Sequence, residues 1–431
     1  MYLLYSALLA VVLVFGSPFW ACEMLRHGKY RRGLLQRLGF VPPQFRDTGR
    51  SSIWVHAVSV GEVLAVSELV QRLRGSFPDT GIVVSTTTDT GQKLAATRFG
   101  AENVFYFPLD FAFASRRWMR ALRPKLLVVA ETEFWPNFMR VAKESGARVA
   151  IVNARISDRS LPGYLRWRKL LSRVLDGIDL FLAQTDEDAR RLTEIGAPED
   201  RVAVSGNPKY DLPPAAAPGI VEELRAAQAS SGASPVLVCG STVEGEEELL
   251  LAAFAAVLSK FPHSVMLLAP RHPQRFEEVA ELLSKSGIPF SRRSQWSGQP
   301  IVGGVLLIDS IGELAGLYAL ADVAYVGGSL VPRGGHNILE PAQYGAAIMV
   351  GPHTENFRDI VGLFQSRRAV KVVAAESLSR ELITLLAGDS ERLELGKRAI
   401  ETMQSQRGAT ALTLAHLEAL LRTDERKAAP A

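Results

Sequence analysis

Gly327-Gly328-Ser329-Leu330-Val331-Pro332-Arg333-Gly334-Gly335-His336-Asn337-Ile338-Leu339-Glu340-Pro341 is the most informative stretch of this 431-residue chain. An apolar run at 322–326 precedes it and reads as a buried strand, and a helical pattern at about 338–344 follows. A strand that feeds a glycine-rich turn and then opens a helix presents backbone N–H groups and a positive dipole end, which together form a seat for phosphate. The four glycines let a ligand approach the backbone closely. Glu340, one turn into the helix, is placed to meet hydroxyls beside that phosphate. The stretch therefore points to a nucleotide or nucleotide-sugar site. The same residues also satisfy a plainer account, in which Asn337 and Glu340 form an N-cap and capping-box pair and the glycines only shape a turn.

Outward from this stretch, strands and helices alternate. In the amino-terminal half, strands are expected at 52–58, 81–86, 125–130, 148–152 and 180–183, with helical patterns at 60–73, 91–98, 137–143 and 186–195. Three prolines at 213, 214 and 218 break the pattern as a stiff linker. The alternation then restarts, with strands at 235–239, 265–268, 305–309, 322–326 and 347–350, helices at 246–259 and 275–286, and a long helical stretch at 391–421. This order implies two α/β halves, each built on a parallel sheet, with a ligand cleft at the carboxyl ends of the strands. The expected division is an anchor at 1–22, a basic segment at 23–50, a first domain at 51–210, a linker at 211–221, a second domain at 222–388, a helical region at 389–422 and a polar tail.

Composition narrows the function. The chain is 47% hydrophobic and 22% charged, ordinary for a globular protein, and its net charge of +4 argues against a nucleic-acid-coating protein. Two widely separated cysteines and seven scattered histidines make neither a disulfide framework nor a metal motif. Residues 1–22 carry no charged side chain, which is long enough for a bilayer-spanning helix. The positive charge follows the apolar run: between 23 and 50, seven Lys or Arg stand against two acids, a local +5. That order suits a membrane anchor with the remainder on the cytoplasmic side better than a cleaved signal peptide. An interfacial helix fits too, given Gly16 and Pro18.

Several polar groups fall where strands end. Glu62, in His56-Ala57-Val58-Ser59-Val60-Gly61-Glu62, opens a helix after the first strand. It fits a general base as well as a first-turn acid favoured by the helix dipole. Glu131 and Glu133, in Glu131-Thr132-Glu133-Phe134-Trp135-Pro136-Asn137, either orient a sugar or cap the next helix. Lys209, in Gly206-Asn207-Pro208-Lys209, is a hinge cation or a solvated surface charge. Pro270 and Arg271 follow a strand, and arginine suits planar anions. Ser241 and Thr242 suit capping, and the backbone of Ile311, Gly312 and Glu313 is a candidate reader of a base edge. Asp186-Glu187-Asp188 opens a helix and needs no metal. The basic, aromatic segment at 163–174 suits either an anionic membrane surface or an ordinary amphipathic helix.

Together, His56 to Glu62, Glu131 to Asn137, Asn153-Ala154-Arg155-Ile156-Ser157, Pro270-Arg271-His272-Pro273 and Gly327 to Glu340 resemble the lipid A 3-deoxy-D-manno-octulosonic acid (Kdo) transferases of Gram-negative bacteria, in register from the amino-terminal apolar run to the carboxyl-terminal helix. The resemblance implies a GT-B glycosyltransferase fold of two Rossmann-like domains facing a cleft, with an amino-terminal membrane anchor. It implies a CMP-Kdo donor, a lipid A precursor as acceptor and a cytoplasmic active site on the inner membrane; the residues themselves indicate no metal or other cofactor. By the same resemblance Glu62 matches the catalytic base, and Glu131 and Lys209 match residues that stabilise the transition state. Pro270 and Arg271, Ile311, Gly312 and Glu313, and Asn337, Ile338, Leu339 and Glu340 match the CMP-binding segments. The competing expectations are another sugar-nucleotide enzyme of this architecture, a UDP- or ADP-sugar transferase or an epimerase, and a non-catalytic membrane-tethered binding protein.

Overall fold

A computed structural model describes residues 1–27, 32–46, 49, 51–211 and 219–428. The proline linker at 212–218 and part of the basic segment lie outside them. Two compact units emerge. Unit 1 is Met1–Leu212 with Arg407–Ala431, and unit 2 is Pro213–Gln406.

Unit 1 is built on seven strands: β1 (Ser52–His56), β2 (Gly81–Thr86), β3 (Val104–Tyr106), β4 (Pro124–Ala130), β5 (Arg148–Ala154), β6 (Leu180–Ala183) and β7 (Val202–Val204), ordered β3-β2-β1-β4-β5-β6-β7. Every pairing is parallel. Successive side chains of a strand point to opposite faces. Trp54 of β1 accordingly joins a core that includes Phe105, Trp118 and Phe138, while Ile53 and Val55 join one on the other face. Both faces are covered by helices, so the strands read as continuous apolar runs.

Unit 2 repeats the plan with β8 (Val236–Thr242), β9 (Val265–Pro270), β10 (Phe290–Arg292), β11 (Gly304–Leu307), β12 (Val323–Val326), β13 (Ala347–Val350) and β14 (Lys371–Val372), ordered β10-β11-β9-β8-β12-β13-β14 and again parallel throughout. Its two cores flank the sheet in the same way, with Tyr325 on one side and Ala324 on the other.

Three expectations about helices change. The helical stretch at 391–421 is two helices, Asp389–Gln404 and Ala409–Ala428. The first stays with unit 2, and the second returns to unit 1, where Leu417 and Leu421 enter the core beside β1 and β4. The basic segment at 163–174 forms two short helices, Leu161–Arg166 and Arg168–Leu175, broken at an exposed Trp167. The helix after the glycine-rich turn is one turn long, Leu339–Ala342.

The expectation of a spanning signal-anchor helix is not supported: among the described residues no helix is long and apolar enough to cross a membrane. The first helix, Tyr2–His27, contains Pro18 and is tied by polar contacts to unit 1. Tyr5 shares a hydrogen bond with Asp110. The Asn137 amide donates to Ser6 Oγ at 3.0 Å, and Arg140 lies over the Tyr2 ring at 4.7 Å. Leu3, Leu4, Leu8, Val11, Val12 and Phe15 of this helix are exposed.

Candidate active site

In unit 1 the chain direction of the winding reverses between β1 and β4, and parallel sheets take ligands outside the strand ends at such a switch point. Glu62 follows β1 by one short turn and lies in the first turn of the helix Val60–Ser76. Glu131 directly follows β4. The structure thus brings these two predicted residues to one place.

Glu62 is buried, with only 7% of its surface exposed. Its Oε2 accepts the Val58 amide at 2.8 Å and its Oε1 accepts the Ser59 hydroxyl at 2.9 Å. The account of Glu62 as a first-turn acid is therefore realised in part. Burial first, and then the negative charges of Glu131 and Glu133, push its carboxyl up to about 7, against the bonds from Val58 and Ser59. Burial and Glu131 likewise raise Glu133. A carboxyl that titrates near neutrality is matched to general-base work.

Glu131 has φ +58°, and its amide donates to Val152 O at 2.9 Å. Beside it on β5, Asn153 has φ +55° and is fully buried, and neither polar atom of its side-chain amide has a partner. Left-handed backbone is unusual for residues other than glycine and gathers at functional sites. A relay of bonds runs on from Asn153: its carbonyl accepts Gln184 Nε2 at 3.2 Å, Gln184 Oε1 accepts Asn207 Nδ2 at 3.1 Å, and Asn207 Oδ1 accepts the Lys209 amide at 3.0 Å. This relay fixes the backbone of Lys209 relative to the ends of β5 and β6. His56 is a core residue: buried, stacked on Phe107 at 3.8 Å and bonded to Ser85, it has a pKa lowered to about 3, chiefly by burial.

In unit 2 the switch point lies between β8 and β12. The loops after β11, β9, β8 and β12 open side by side along one sheet edge. These loops and the strand ends before them carry Ile311, Gly312 and Glu313; Pro270 and Arg271; Ser241 and Thr242; and the glycine-rich stretch. Arg271 is exposed, its amide donates to Thr242 O at 2.9 Å, and its charge acts on both His336 and Glu340. Asn337 joins the same group: its Nδ2 donates to Glu340 Oε1 at 3.3 Å and its Oδ1 accepts the Leu339 amide at 3.1 Å. Burial raises the Glu340 carboxyl. Ile338 and Leu339 are buried. Glu313 pairs with Arg293 at 3.1 Å, and Ile311 is exposed.

The phosphate seat expected of the glycine-rich turn is largely filled from within. The amides of Gly328, Ser329 and Leu330 donate to the carboxylate of Glu246 at 2.7, 2.9 and 2.9 Å. Glycine is required here: a Cβ on Gly327 would lie 2.4 Å from Ser241 O, and Gly328 has φ +71°. The sequence reading missed Glu246, and it missed His336, whose Nε2 is buried without a partner and whose pKa is lowered to about 4 by burial and by Arg271.

Residues 32–212 match the family model described as 3-deoxy-D-manno-octulosonic-acid transferase (kdotransferase). The 3-deoxy-D-manno-octulosonic acid transferase of Haemophilus influenzae is 35% identical over 94% of this chain and 95% of its own length. Among solved structures, a glycosyltransferase from Rickettsia africae covers 87% of this chain and 98% of its own at 14% identity, with a TM-score of 0.56. The UDP-GlcNAc 2-epimerase of Neisseria meningitidis, bound to UDP-GlcNAc, covers 85% and 99% at 14% identity, with a TM-score of 0.57. These two likenesses show the fold alone: two parallel-sheet α/β domains resembling GT-B glycosyltransferases.

Proposed function

This chain belongs to the 3-deoxy-D-manno-octulosonic acid transferases, and from that membership we propose that it moves Kdo from CMP-Kdo to a lipid A precursor with inversion, Glu62 acting as general base. The observation that carries the proposal is the Glu62 carboxyl, held at the switch point of unit 1 and pushed up to about 7 by burial and by Glu131 and Glu133.

In the proposed step, an acceptor sugar hydroxyl loses its proton to Glu62 as its oxygen bonds to the anomeric carbon of Kdo. The bond from that carbon to the CMP phosphate oxygen breaks, and CMP leaves with the electron pair from the opposite face. Arg271 and the backbone around Asn337, Ile338 and Leu339 meet the charge that develops on CMP, as fixed donors do for departing anions. Pro270, Ile311, Gly312 and Glu313 border the same seat, and Glu340 meets ribose hydroxyls. Glu131 and Lys209 stabilise the transition state. Membrane attachment, on the inner membrane with the catalytic units cytoplasmic, is assigned to the exposed apolar side chains of the first helix, aided by the basic surface around Trp167.

The test is Glu62→Gln with CMP-Kdo and a tetra-acylated lipid A precursor, read by mass analysis of the lipid. Turnover is expected to fall by about 10²–10⁴-fold with CMP binding retained. Near-normal turnover removes Glu62 as the base, and a wild-type chain that transfers no Kdo removes the reading itself.

A further inference from the structure

Glu246 is the most heavily bonded carboxylate in unit 2, and nothing in the proposed reaction uses it. It is fully buried at the end of the loop that follows β8. Its Oε1 accepts the Tyr325 hydroxyl at 2.6 Å and the amides of Ser329 and Leu330, both at 2.9 Å. Its Oε2 accepts the Gly328 amide at 2.7 Å and the Val243 amide at 3.1 Å. All five partners are donors, which fits the carboxylate form. Four of them are backbone amides drawn from both loops of the switch point. Successive amides of such turns make an anion-binding concavity, and in parallel sheets that concavity takes phosphate. Here its occupant is a side chain, 82 residues away in sequence from Gly328.

The nest adjoins the donor cluster. The charge of Glu246 acts on His336, which also senses Arg271, and Gly328 lies so close to His336 that a Cβ there would sit 2.8 Å from Nε2. A nucleotide phosphate held by Arg271 is therefore next to a fixed negative charge. A second phosphate extending toward the glycine loop would meet that carboxylate and find the amides already taken.

We propose that Glu246 is a specificity-determining residue that occupies the phosphate nest of the glycine loop and so restricts the donor seat to nucleotides carrying a single phosphate. The proposal rests on the sugar-nucleotide reading above and deepens it. It explains how a fold shared with a UDP-GlcNAc enzyme accommodates a nucleoside monophosphate sugar instead. Glu246 acts through the loop it holds and through its charge, without taking part in bond making.

The experiment compares binding of CMP with CDP, and of UMP with UDP, to the full chain by calorimetry. Wild type is expected to bind the monophosphate more tightly within each pair. Glu246→Gln keeps the side-chain shape and removes the charge, and Glu246→Ala empties the nest. In both, the diphosphate-to-monophosphate affinity ratio is expected to rise by about tenfold or more, the scale of one or two charge-assisted hydrogen bonds. Formate and inorganic phosphate are expected to raise the melting temperature of Glu246→Ala more than that of wild type. A general loosening of the loop weakens both nucleotides together and leaves the ratio unchanged, which overturns the proposal. If neither variant folds, the wild-type pairs still decide, because tighter binding of the diphosphate overturns it. Preference for uridine over cytidine nucleotides with monophosphate selectivity intact counts against the CMP reading and not against Glu246.

Discussion

At the scale of single residues, one group carries a cost that its proposed role as base would explain. A carboxyl raised from 4.5 to about 7 holds its proton more tightly in the folded chain than in the unfolded one. Between those two values folding takes up a proton, so stability is highest below the unfolded pKa and falls as pH rises through the folded one. For Glu62 the penalty above pH 7 is roughly 3 kcal/mol at 1.36 kcal/mol per unit. Glu62→Gln is therefore expected to melt at a higher temperature than wild type at pH 8 and to match it at pH 5, by scanning calorimetry. Wild-type kcat/KM is expected to climb with unit slope up to about pH 7 and then level off as the base ionises. A flat profile from pH 5 to 8 contradicts this titration. The sequence placed Glu62 and Glu131 at strand ends, and that much was legible from the apolar runs before them. It could not show that Glu62 is buried beside two other acids, nor that His56, six residues earlier, is a neutral core residue stacked on Phe107. Those outcomes depend on side chains brought together by the sheet order.

Among elements, the long central strands were the readable ones. β1, β4, β5, β8 and β9 are buried on both faces and leave runs of Val, Ile and Leu bounded by turns. β3, β7, β10 and β14, three residues or fewer, left no such run. The glycine-rich turn was legible as a turn, but its occupant was not, because Glu246 enters from a distant loop. The apolar run at 1–22 and the basic residues after it suit a spanning anchor or an interfacial helix. The contacts of the first helix through Tyr2, Tyr5 and Ser6 commit one end to the protein surface and leave an apolar stripe facing outward. We propose that this stripe rests in the headgroup boundary of a membrane, where binding scales with buried apolar area. Leu8→Asp with Val12→Asp is expected to abolish co-sedimentation with phosphatidylglycerol vesicles. Both side chains are exposed, so melting temperature and turnover on detergent-dispersed acceptor are expected to stay near wild type. Unchanged vesicle binding assigns attachment elsewhere.

For the molecule as a whole, the chain begins and ends in the same unit. After the second unit closes at Gln406, the helix Ala409–Ala428 returns to unit 1. Its start is capped by Asp211, whose two oxygens accept the amides of Gly408 at 2.7 Å and Thr410 at 2.5 Å. Leu417 is fully buried and Leu421 nearly so, in the core that contains Val55, Val63 and Val128. Sequence order alone suggests a separate helical region at 389–422 assigned to neither sheet, because nothing in the pattern at 391–421 marks which sheet each turn covers. The consequence is that unit 1 depends on the last twenty-odd residues, whereas unit 2 does not. Leu417→Ala is expected to destabilise unit 1 by about 2–5 kcal/mol, the range for a buried leucine truncated to alanine. A chain ending at Gln406 is expected to lose more, because it also forfeits Leu421 and the bonds to Asp211. Hydrogen exchange followed by mass spectrometry distinguishes the units: amides of β1, β4 and β5 are expected to lose protection in both variants, while those of β8, β9 and β12 keep it. Protection lost equally in both sets would mean that the two units unfold as one, and the assignment of the final helix to unit 1 would then have no separate energetic content.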